Sequence, residues 1–206
     1  MGKIQDKLNS SETKNNIFNA AAELFARDGF HKVSVREICE SANVTKPVLY
    51  YYFKDKETLL EELMKETYVK VDELVLKHIN ESDPIEILLR NIVKLYVEFL
   101  TVYPTLTKFS AFIQSTNVPN RILEMKLNRY KSEKGKLIKI IKTNQKQGII
   151  SKEYNPETLT INFIGTIIMY LGEFLIFNLS VKEVNKKLNN FVEFWINTFI
   201  IKDSAE

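Results

Sequence analysis

Two rows of side chains at one-turn spacing carry the most distinctive chemistry in this chain. Lys46 lies four residues before Tyr50, and Pro47 lies four residues before Tyr51, so each pair would form a row along a helix. An ammonium group and phenols can bond phosphate oxygens and base edges, and flat apolar area can contact thymine methyl groups. The pattern therefore favours a helix presented to the major groove of DNA. The alternatives are a short surface helix with scattered tyrosines, or tyrosines that pack against a later segment.

The residues around these rows predict a helix–turn–helix. Ser34-Val35-Arg36-Glu37 has the S-x-x-E form of a capping box, so a first helix should begin there. Asn43 is expected to take the left-handed conformation of the turn that follows. Thr45 can cap a second helix, with Pro47 in its first turn, where a missing N–H group costs little. The inward faces of the two helices would carry Ile38, Cys39, Ala42, Leu49, Tyr52 and Phe53.

Helical segments flank this unit, and the whole run resembles the tetracycline-repressor (TetR) family of bacterial regulators. Upstream, 14–29 has an apolar helical stripe; downstream, Asp55 is a candidate N-cap. The family's strongest element reads roughly T-x-x-x-I-A-x-x-A-G-V-S-x-G-x-[LI]-Y-x-[HY]-F-x-x-K-x-x-L, and here it reads S-V-R-E-I-C-E-S-A-N-V-T-K-P-V-L-Y-Y-Y-F-K-D-K-E-T-L. The five departures are Ser34, Cys39, Asn43, Thr45 and Pro47. Pro47 replaces a glycine near the start of the recognition helix, so it is the departure expected to alter base contacts.

The resemblance implies a ligand-responsive, sequence-specific transcriptional regulator, in the usual case a repressor. Such a protein would be a homodimer that binds a pseudo-palindromic DNA operator and leaves it when a small-molecule effector binds the helical body. A helix–turn–helix DNA-binding domain would span 1–56, and a ligand-binding and dimerisation domain would span 57–206. Phosphates would be held by Ser34, Thr45 and the backbone N–H group of Lys56. Lys46, Pro47, Tyr50 and Tyr51 would enter the major groove.

The bulk composition fits a globular cytoplasmic protein. The chain has 206 residues, 45% of them hydrophobic, and one cysteine, which suits a reducing compartment. Its polar N-terminal segment lacks the apolar core of a secretory signal. The net charge of +3 is too small to argue for nucleic-acid binding. Residues 119–155 carry ten basic and three acidic side chains on a predicted amphipathic helix; we interpret them as a solvated face, with an anionic ligand or a DNA contact as alternatives.

Nearly the whole chain is predicted to be helical. Strand alternation is absent, and only six glycines and five prolines interrupt the helical patterns. The expected fold is therefore all-α with about nine helices. After the helix–turn–helix, the predicted segments are a helix over 55–80, one over 83–102, a short one to Gln114, a loop over 115–119, a basic helix to Gly148, and helices over 155–179 and 180–201.

The segment 158–179 has one charge in about 22 residues, so a membrane span must be weighed. Asn162, other polar residues and the absence of an aromatic belt argue against a span. We interpret the segment as a helix at a subunit interface, where Gly165 and Gly172 allow close approach. A core helix within one chain is the alternative. The last helix, with Phe191 and Trp195, would be its partner, as in TetR-like proteins, which dimerise through their last two helices.

Aromatic side chains in the helical body could line a ligand pocket. The candidates are Tyr96, Phe99, Phe112, Tyr170 and Phe174, although aromatic residues at helical spacing are more often core. Glu173 lies in the same apolar segment and needs a partner or a cationic ligand, since an unpaired buried carboxylate is costly.

The sequence contains no G-x-G-x-x-G, P-loop or C-x-x-C motif, so we expect neither an enzyme nor a bound cofactor or metal. Two rival hypotheses remain. One is a constitutive DNA-binding or architectural factor without a ligand switch, and the other is an all-helical ligand-binding enzyme.

Overall fold

A computed structural model describes residues 2–113 and 118–201, with side chains from residue 11 onward. The described residues contain no β-strand beyond one bridge between Ile150 and Ile200, so the all-α prediction is confirmed. The predicted helix end at Gln114 and much of the loop predicted at 115–119 lie outside the described residues. The described helices are α1 (Gly2–Asp28), α2 (Val35–Ser41), α3 (Lys46–Tyr52), α4 (Lys56–His78), α5 (Ile85–Val102), α6 (Pro104–Ile113), α7 (Asn120–Lys146), α8 (Pro156–Phe177) and α9 (Val181–Phe199).

The first helix is longer than its apolar stripe. The stripe predicted a helix from Lys14, whereas α1 begins at Gly2. No glycine or proline interrupts residues 3–28. A helix adds residues more easily than it nucleates, so a polar segment without a breaker can continue a helix that packing has already fixed.

The chain divides into two compact units. The first combines the residues up to Asp72 with Tyr103–Met125, and the second combines Glu73–Val102 with the residues from Lys126 onward. Helices α4 and α7 each contribute to both units. The functional boundary expected after residue 56 stays a prediction, because these units are defined by packing and not by activity.

The core of the first unit forms under α1, which packs against α2 and α6. Its fully buried side chains include Ile17 and Phe25 of α1, Ile38 of α2, Leu49 of α3 and Phe109 of α6. Each of the short helices α2, α3 and α6 thus has an apolar face against the same core. Isolated helices of this length are marginal in water, so their stability comes from this burial.

A buried ion pair joins the start of α7 to α4 within the first unit. The Glu61 carboxylate is 5% exposed and accepts hydrogen bonds from Arg121 Nε and a terminal nitrogen, both at 3.0 Å. Lys65, one turn along α4, also contacts it at 2.8 Å. A carboxylate buried this far is costly unless it is paired, and two cations meet that requirement.

The core of the second unit is formed by α5, α8 and α9, with Leu137 and Ile141 of α7. Trp195 of α9 is fully buried there, with its ring centroid 5.5 Å from that of Phe163 and 5.0 Å from that of Phe199. Its Nε1 has no hydrogen-bond partner among the described residues. The expectation that Trp195 lies at a subunit interface is therefore wrong, because its side chain is enclosed by its own protomer.

Short-range hydrogen bonds determine both the start of α2 and the turn between α2 and α3. The Ser34 hydroxyl accepts from the Glu37 N–H at 3.2 Å, and the Glu37 carboxylate accepts from the Ser34 N–H at 2.7 Å, which completes the predicted capping box. Asn43 has φ 53°, the predicted left-handed conformation, and the Val44 N–H then donates to the Cys39 carbonyl at 2.9 Å. The turn thereby directs the chain into α3.

Asparagine tolerates this φ because its short polar side chain can interact with the nearby backbone, so Asn43→Ala, which keeps the strained Cβ atom and loses that interaction, should lower the free energy of unfolding by about 1 kcal/mol. Asn43→Gly should leave it equal or slightly higher, because glycine adopts this conformation without a steric cost. Thermal and urea unfolding of the three proteins measure the difference. Equal stability of the alanine and glycine variants would contradict the assigned turn.

Candidate nucleic-acid interface

Helix α3 presents a polar and aromatic face to solvent. Lys46 and Pro47 are exposed, as are Tyr50 at 50% and Tyr51 at 81% of their surface. On the opposite side Leu49 is fully buried. The side chains predicted to read DNA thus share the free face of a helix whose other face is anchored in the core.

Aromatic packing fixes the end of α3 against α1. Phe53 is 1% exposed and its ring centroid lies 5.4 Å from that of Phe18. The Lys14 ammonium lies 5.2 Å and 5.9 Å from the Phe18 and Phe53 centroids, within the range of a cation–π interaction. Sequence reasoning did not single out Lys14, although its spacing of four residues from Phe18 was a signal that the two side chains would meet.

The two hydroxyl residues differ in how they cap their helices. Ser34 accepts the capping bond described above, and its own hydroxyl hydrogen can still be donated. Thr45 has the extended backbone of an N-cap, with φ −89° and ψ 157°, but its side chain makes no capping hydrogen bond. The prediction was therefore right about the cap position and wrong about the bond, which leaves the exposed Thr45 hydroxyl able to bind a phosphate.

The N-terminus of α4 is capped as predicted. Asp55 Oδ1 accepts from the Thr58 N–H at 2.7 Å, and this bond lowers the pKa of the Asp55 carboxyl below its usual value. Lys56, the first residue of α4, was expected to contribute its backbone N–H group. Its side chain has a further role that the motif did not reveal: the ammonium donates to the Phe30 and Val33 carbonyls, each at 2.7 Å.

The residues predicted to bind a ligand do not all lie in one unit. Tyr96, Tyr170 and Phe174 are partly buried against the core of the second unit. Phe99 is 7% exposed and also belongs to the second unit. Phe112 instead packs in the first unit, with its centroid 6.4 Å from that of Phe25 and 6.1 Å from that of Phe109.

The partner expected for Glu173 is supplied by the same chain. The Lys187 ammonium donates to the Glu173 carboxylate, and this hydrogen bond raises the pKa of Lys187 above its usual value. The Lys187 ammonium also lies 5.6 Å from the centroid of Tyr170. A cationic ligand at Glu173 would therefore have to displace Lys187.

Helix α8 is long and apolar enough to cross a membrane, yet it is only partly buried in the protomer. Phe163 and Ile167 enter the core of the second unit, whereas Ile168 and Met169 are exposed at 43% and 66%. The alternative of a helix buried wholly within one chain is therefore wrong. Gly165 is exposed, and a Cβ atom built on Gly165 or Gly172 meets nothing within 4 Å.

An open groove of about 390 Å³ lies between α8 and α9. It contains Tyr170 from the predicted ligand cluster and Phe191 from the predicted interface, which is 8% exposed. Its lining residues are Asn162, Thr166, Tyr170, Asn190, Phe191 and Phe194. Phe194 is 61% exposed, so part of the groove wall belongs to the surface that α8 and α9 leave uncovered.

Comparison with known proteins places the helix–turn–helix in a family. The family model described as bacterial regulatory proteins, tetR family, matches residues 17–63. The HTH-type transcriptional regulator AcrR of Shigella flexneri is 32% identical over 84 residues, which are 40% of this chain and 39% of AcrR. UidR of Escherichia coli K12 is 38% identical over 52 residues, 25% of this chain and 26% of UidR. These alignments thus span well under half of either regulator.

Other matches extend over most of the chain. The HTH-type regulator YdgC of Bacillus subtilis is 26% identical over 173 residues, 80% of this chain and 82% of YdgC. A TetR family regulator from Chloroflexus aurantiacus has a TM-score of 0.77 at 14% identity, covering 93% of this chain and 95% of that one.

Two solved structures with this fold contain ligands. FadR of Bacillus subtilis, in complex with stearoyl-CoA, has a TM-score of 0.71 at 20% identity and covers 88% of this chain and 96% of its own. A regulator from Saccharomonospora viridis, in complex with choline, has a TM-score of 0.71 at 21% identity and covers 93% of this chain and all of its own. The matched segment and the related regulators identify residues 17–63 as a DNA-binding segment of the tetR family of bacterial regulatory proteins, and the shared fold over most of the chain supports membership of that family.

Proposed function

We propose that this protein is a cytoplasmic, homodimeric, sequence-specific DNA-binding regulator of transcription, released from its operator by a small, largely apolar molecule. The observation that carries the DNA-binding part is the exposed face of α3, with Lys46, Pro47, Tyr50 and Tyr51 outward over a buried Leu49. A solvated helix face with no function would more often carry several charges than two phenols and a proline.

The proposed contacts divide into positioning and readout. Ser34, Thr45 and the first N–H groups of α4 would bind phosphates, since the N-terminus of a long helix attracts anions. Lys46, Tyr50 and Tyr51 would reach base edges or further phosphates, and Pro47 would present apolar area to thymine methyl groups. Two copies of this surface in a homodimer would match a pseudo-palindromic operator.

Replacing Tyr50 by alanine should weaken operator binding by about 1–3 kcal/mol and leave the fold intact, because half of this side chain is exposed and its loss opens no cavity. Lys46→Ala should act in the same direction. Tyr130→Ala is the matched control, because Tyr130 is also 50% exposed but lies on α7. Fluorescence anisotropy with a duplex enriched from a randomised pool measures the affinity. Unchanged affinity in both α3 variants at low salt would remove α3 from the interface.

The proposal of a dimer is based on large apolar side chains of α8 and α9 that the protomer leaves exposed to solvent. Ile176 and Phe177 of α8 are exposed at 75% and 68%, and Phe194 of α9 at 61%. Ile168 and Met169 are also exposed, and large apolar side chains left uncovered on neighbouring helices are typical of a protein or membrane contact. A second copy of the chain can cover this part of the surface with an identical one, as a two-fold interface requires.

Gly165→Leu should disrupt the dimer without harming the protomer. Nothing lies within 4 Å of a Cβ atom at Gly165, so the added side chain would meet only the partner, at a cost of about 1–3 kcal/mol. Gly172→Leu should behave in the same way. Gly135→Leu is the matched control, because Gly135 is also a helical glycine in open space.

Analytical ultracentrifugation in detergent-free buffer should give a dimer for the parent protein and the Gly135 variant, and a higher dissociation constant for the Gly165 variant. A stable, well-folded parent monomer at micromolar concentration would overturn the interface. Spontaneous association of that monomer with vesicles would favour a membrane contact for α8.

The ligand switch is proposed for the second unit. Tyr96, Phe99, Tyr170 and Phe174 supply aromatic area with few charges, which suits a largely apolar molecule. Stearoyl-CoA and choline, held by the two ligand-bound proteins, differ greatly in size and charge, so this shared fold does not specify one ligand chemistry. The effector must bind more tightly to the DNA-incompetent state, since equal affinity for both states shifts no equilibrium.

Phe174→Ala should raise the effector concentration needed for half release about tenfold or more, while DNA affinity without effector stays within about twofold. Anisotropy titrations with hydrophobic candidate compounds measure both quantities. Leu76→Ala is the control, because Leu76 is 85% exposed, belongs to the second unit and is part of neither the aromatic cluster nor the proposed dimer surface. If Phe174→Ala instead costs about 3–5 kcal/mol of stability, Phe174 is a core residue and the pocket assignment fails.

A further inference from the structure

We propose that the Lys56 side chain is a positioning residue for the DNA interface: its ammonium ties the turn before α2 to the first turn of α4. It would thereby fix the distance between the Ser34 hydroxyl and the first turn of α4, the two proposed phosphate contacts on either side of α3 in the sequence. This inference rests on the proposed DNA-binding function and adds a role for an ammonium group in setting sequence specificity.

The Lys56 side chain connects two segments that are distant in the sequence, and we call this set of contacts the Lys56 clamp. Its Nζ donates to the carbonyls of Phe30 and Val33, 26 and 23 residues earlier, each at 2.7 Å. The same nitrogen lies 4.3 Å from the centroid of the Phe30 ring, whose side chain is 7% exposed. Two short charged hydrogen bonds and a cation–π contact therefore restrict the ammonium in several directions.

Partial burial of the Lys56 ammonium removes some of its hydration. Burial lowers the pKa of Lys56, and only the more distant charge of Glu37 acts in the opposite direction. The two acceptors are neutral carbonyls, so no carboxylate compensates the ammonium directly. The ammonium is only partly buried, and what its two hydrogen bonds supply is a fixed distance between α4 and the turn before α2.

The clamped atoms adjoin the proposed phosphate contacts. Val33 immediately precedes Ser34, the N-cap of α2, and Lys56 is itself the first residue of α4. One side chain thus links the two helix ends between which α3 lies in the sequence. Phosphates of a DNA duplex have fixed spacing, so a fixed distance between these ends sets the register in which α3 meets the bases. Non-specific binding depends mainly on total charge and needs no such register.

The test compares two substitutions that each remove one positive charge. Lys56→Met keeps the length of the side chain and loses both hydrogen bonds. Lys32→Met, in the same turn, removes an exposed ammonium and is the matched control. The probes are a duplex enriched from a randomised pool by the parent protein and a random duplex of equal length, each titrated at several salt concentrations below the unfolding temperature.

The expected result is a loss of affinity for the enriched duplex and not for the random one. Lys56→Met should reduce the ratio of affinities for enriched over random duplex about tenfold or more, with little change for the random duplex. Lys32→Met should retain the parental ratio. Lys56→Gln, which preserves a donor but cannot span both carbonyls, should show the same selective loss and provides the measurement if the methionine variant does not fold.

Two results would overturn the inference. A parental ratio in a folded Lys56 variant would show that the clamp does not set specificity. An equal loss for both duplexes, with a salt slope smaller by about 0.9, would make Lys56 an ordinary phosphate contact. If the parent protein enriches no sequence from the pool, the proposed DNA function itself fails, which is a separate outcome.

Discussion

The candidate DNA interface depends on the seating of α3 through two buried side chains. A helix of seven residues has too few internal hydrogen bonds to persist alone in water. Leu49 and Phe53 anchor it in the core formed by α1, α2, α4 and α6, and their burial holds the opposite face outward. Lys46, Tyr50 and Tyr51 therefore need no partners of their own to keep their positions. The same anchoring explains how unusual residues, including Pro47, are tolerated on the free face.

The second unit poses a different physical problem, since its most apolar helix is incompletely covered. α8 inserts Phe163 and Ile167 into the core but leaves Ile168, Met169 and Ile176 exposed. Exposed apolar area of this extent is costly in water and promotes association. A symmetric partner would remove it from solvent. Folding of the second unit and assembly of the proposed dimer would then be linked through one surface.

Local interactions account for what could be predicted from the sequence. The capping box at Ser34 is present, Asn43 adopts its left-handed turn and Asp55 caps α4. Each of these features involves groups within about four residues of one another, so residue type and spacing were sufficient. The family motif similarly identified α3 and its outward face, because a periodic pattern of apolar and polar residues defines the two sides of a helix.

Contacts between distant residues were decided only by the tertiary structure. Trp195 had the aromatic character of an interface residue but is enclosed by its own protomer, and Phe112 packs in the first unit, apart from the rest of its predicted cluster. Glu173 obtains its cation from Lys187, fourteen residues away, and Lys56 bonds carbonyls more than twenty residues earlier. The sequence alone thus determined most of the helices, the caps at Ser34 and Asp55, and the face of α3 that is proposed to read DNA. Which side chains meet across helices depended on packing, because a helical pattern specifies an inward direction but not the partner found there.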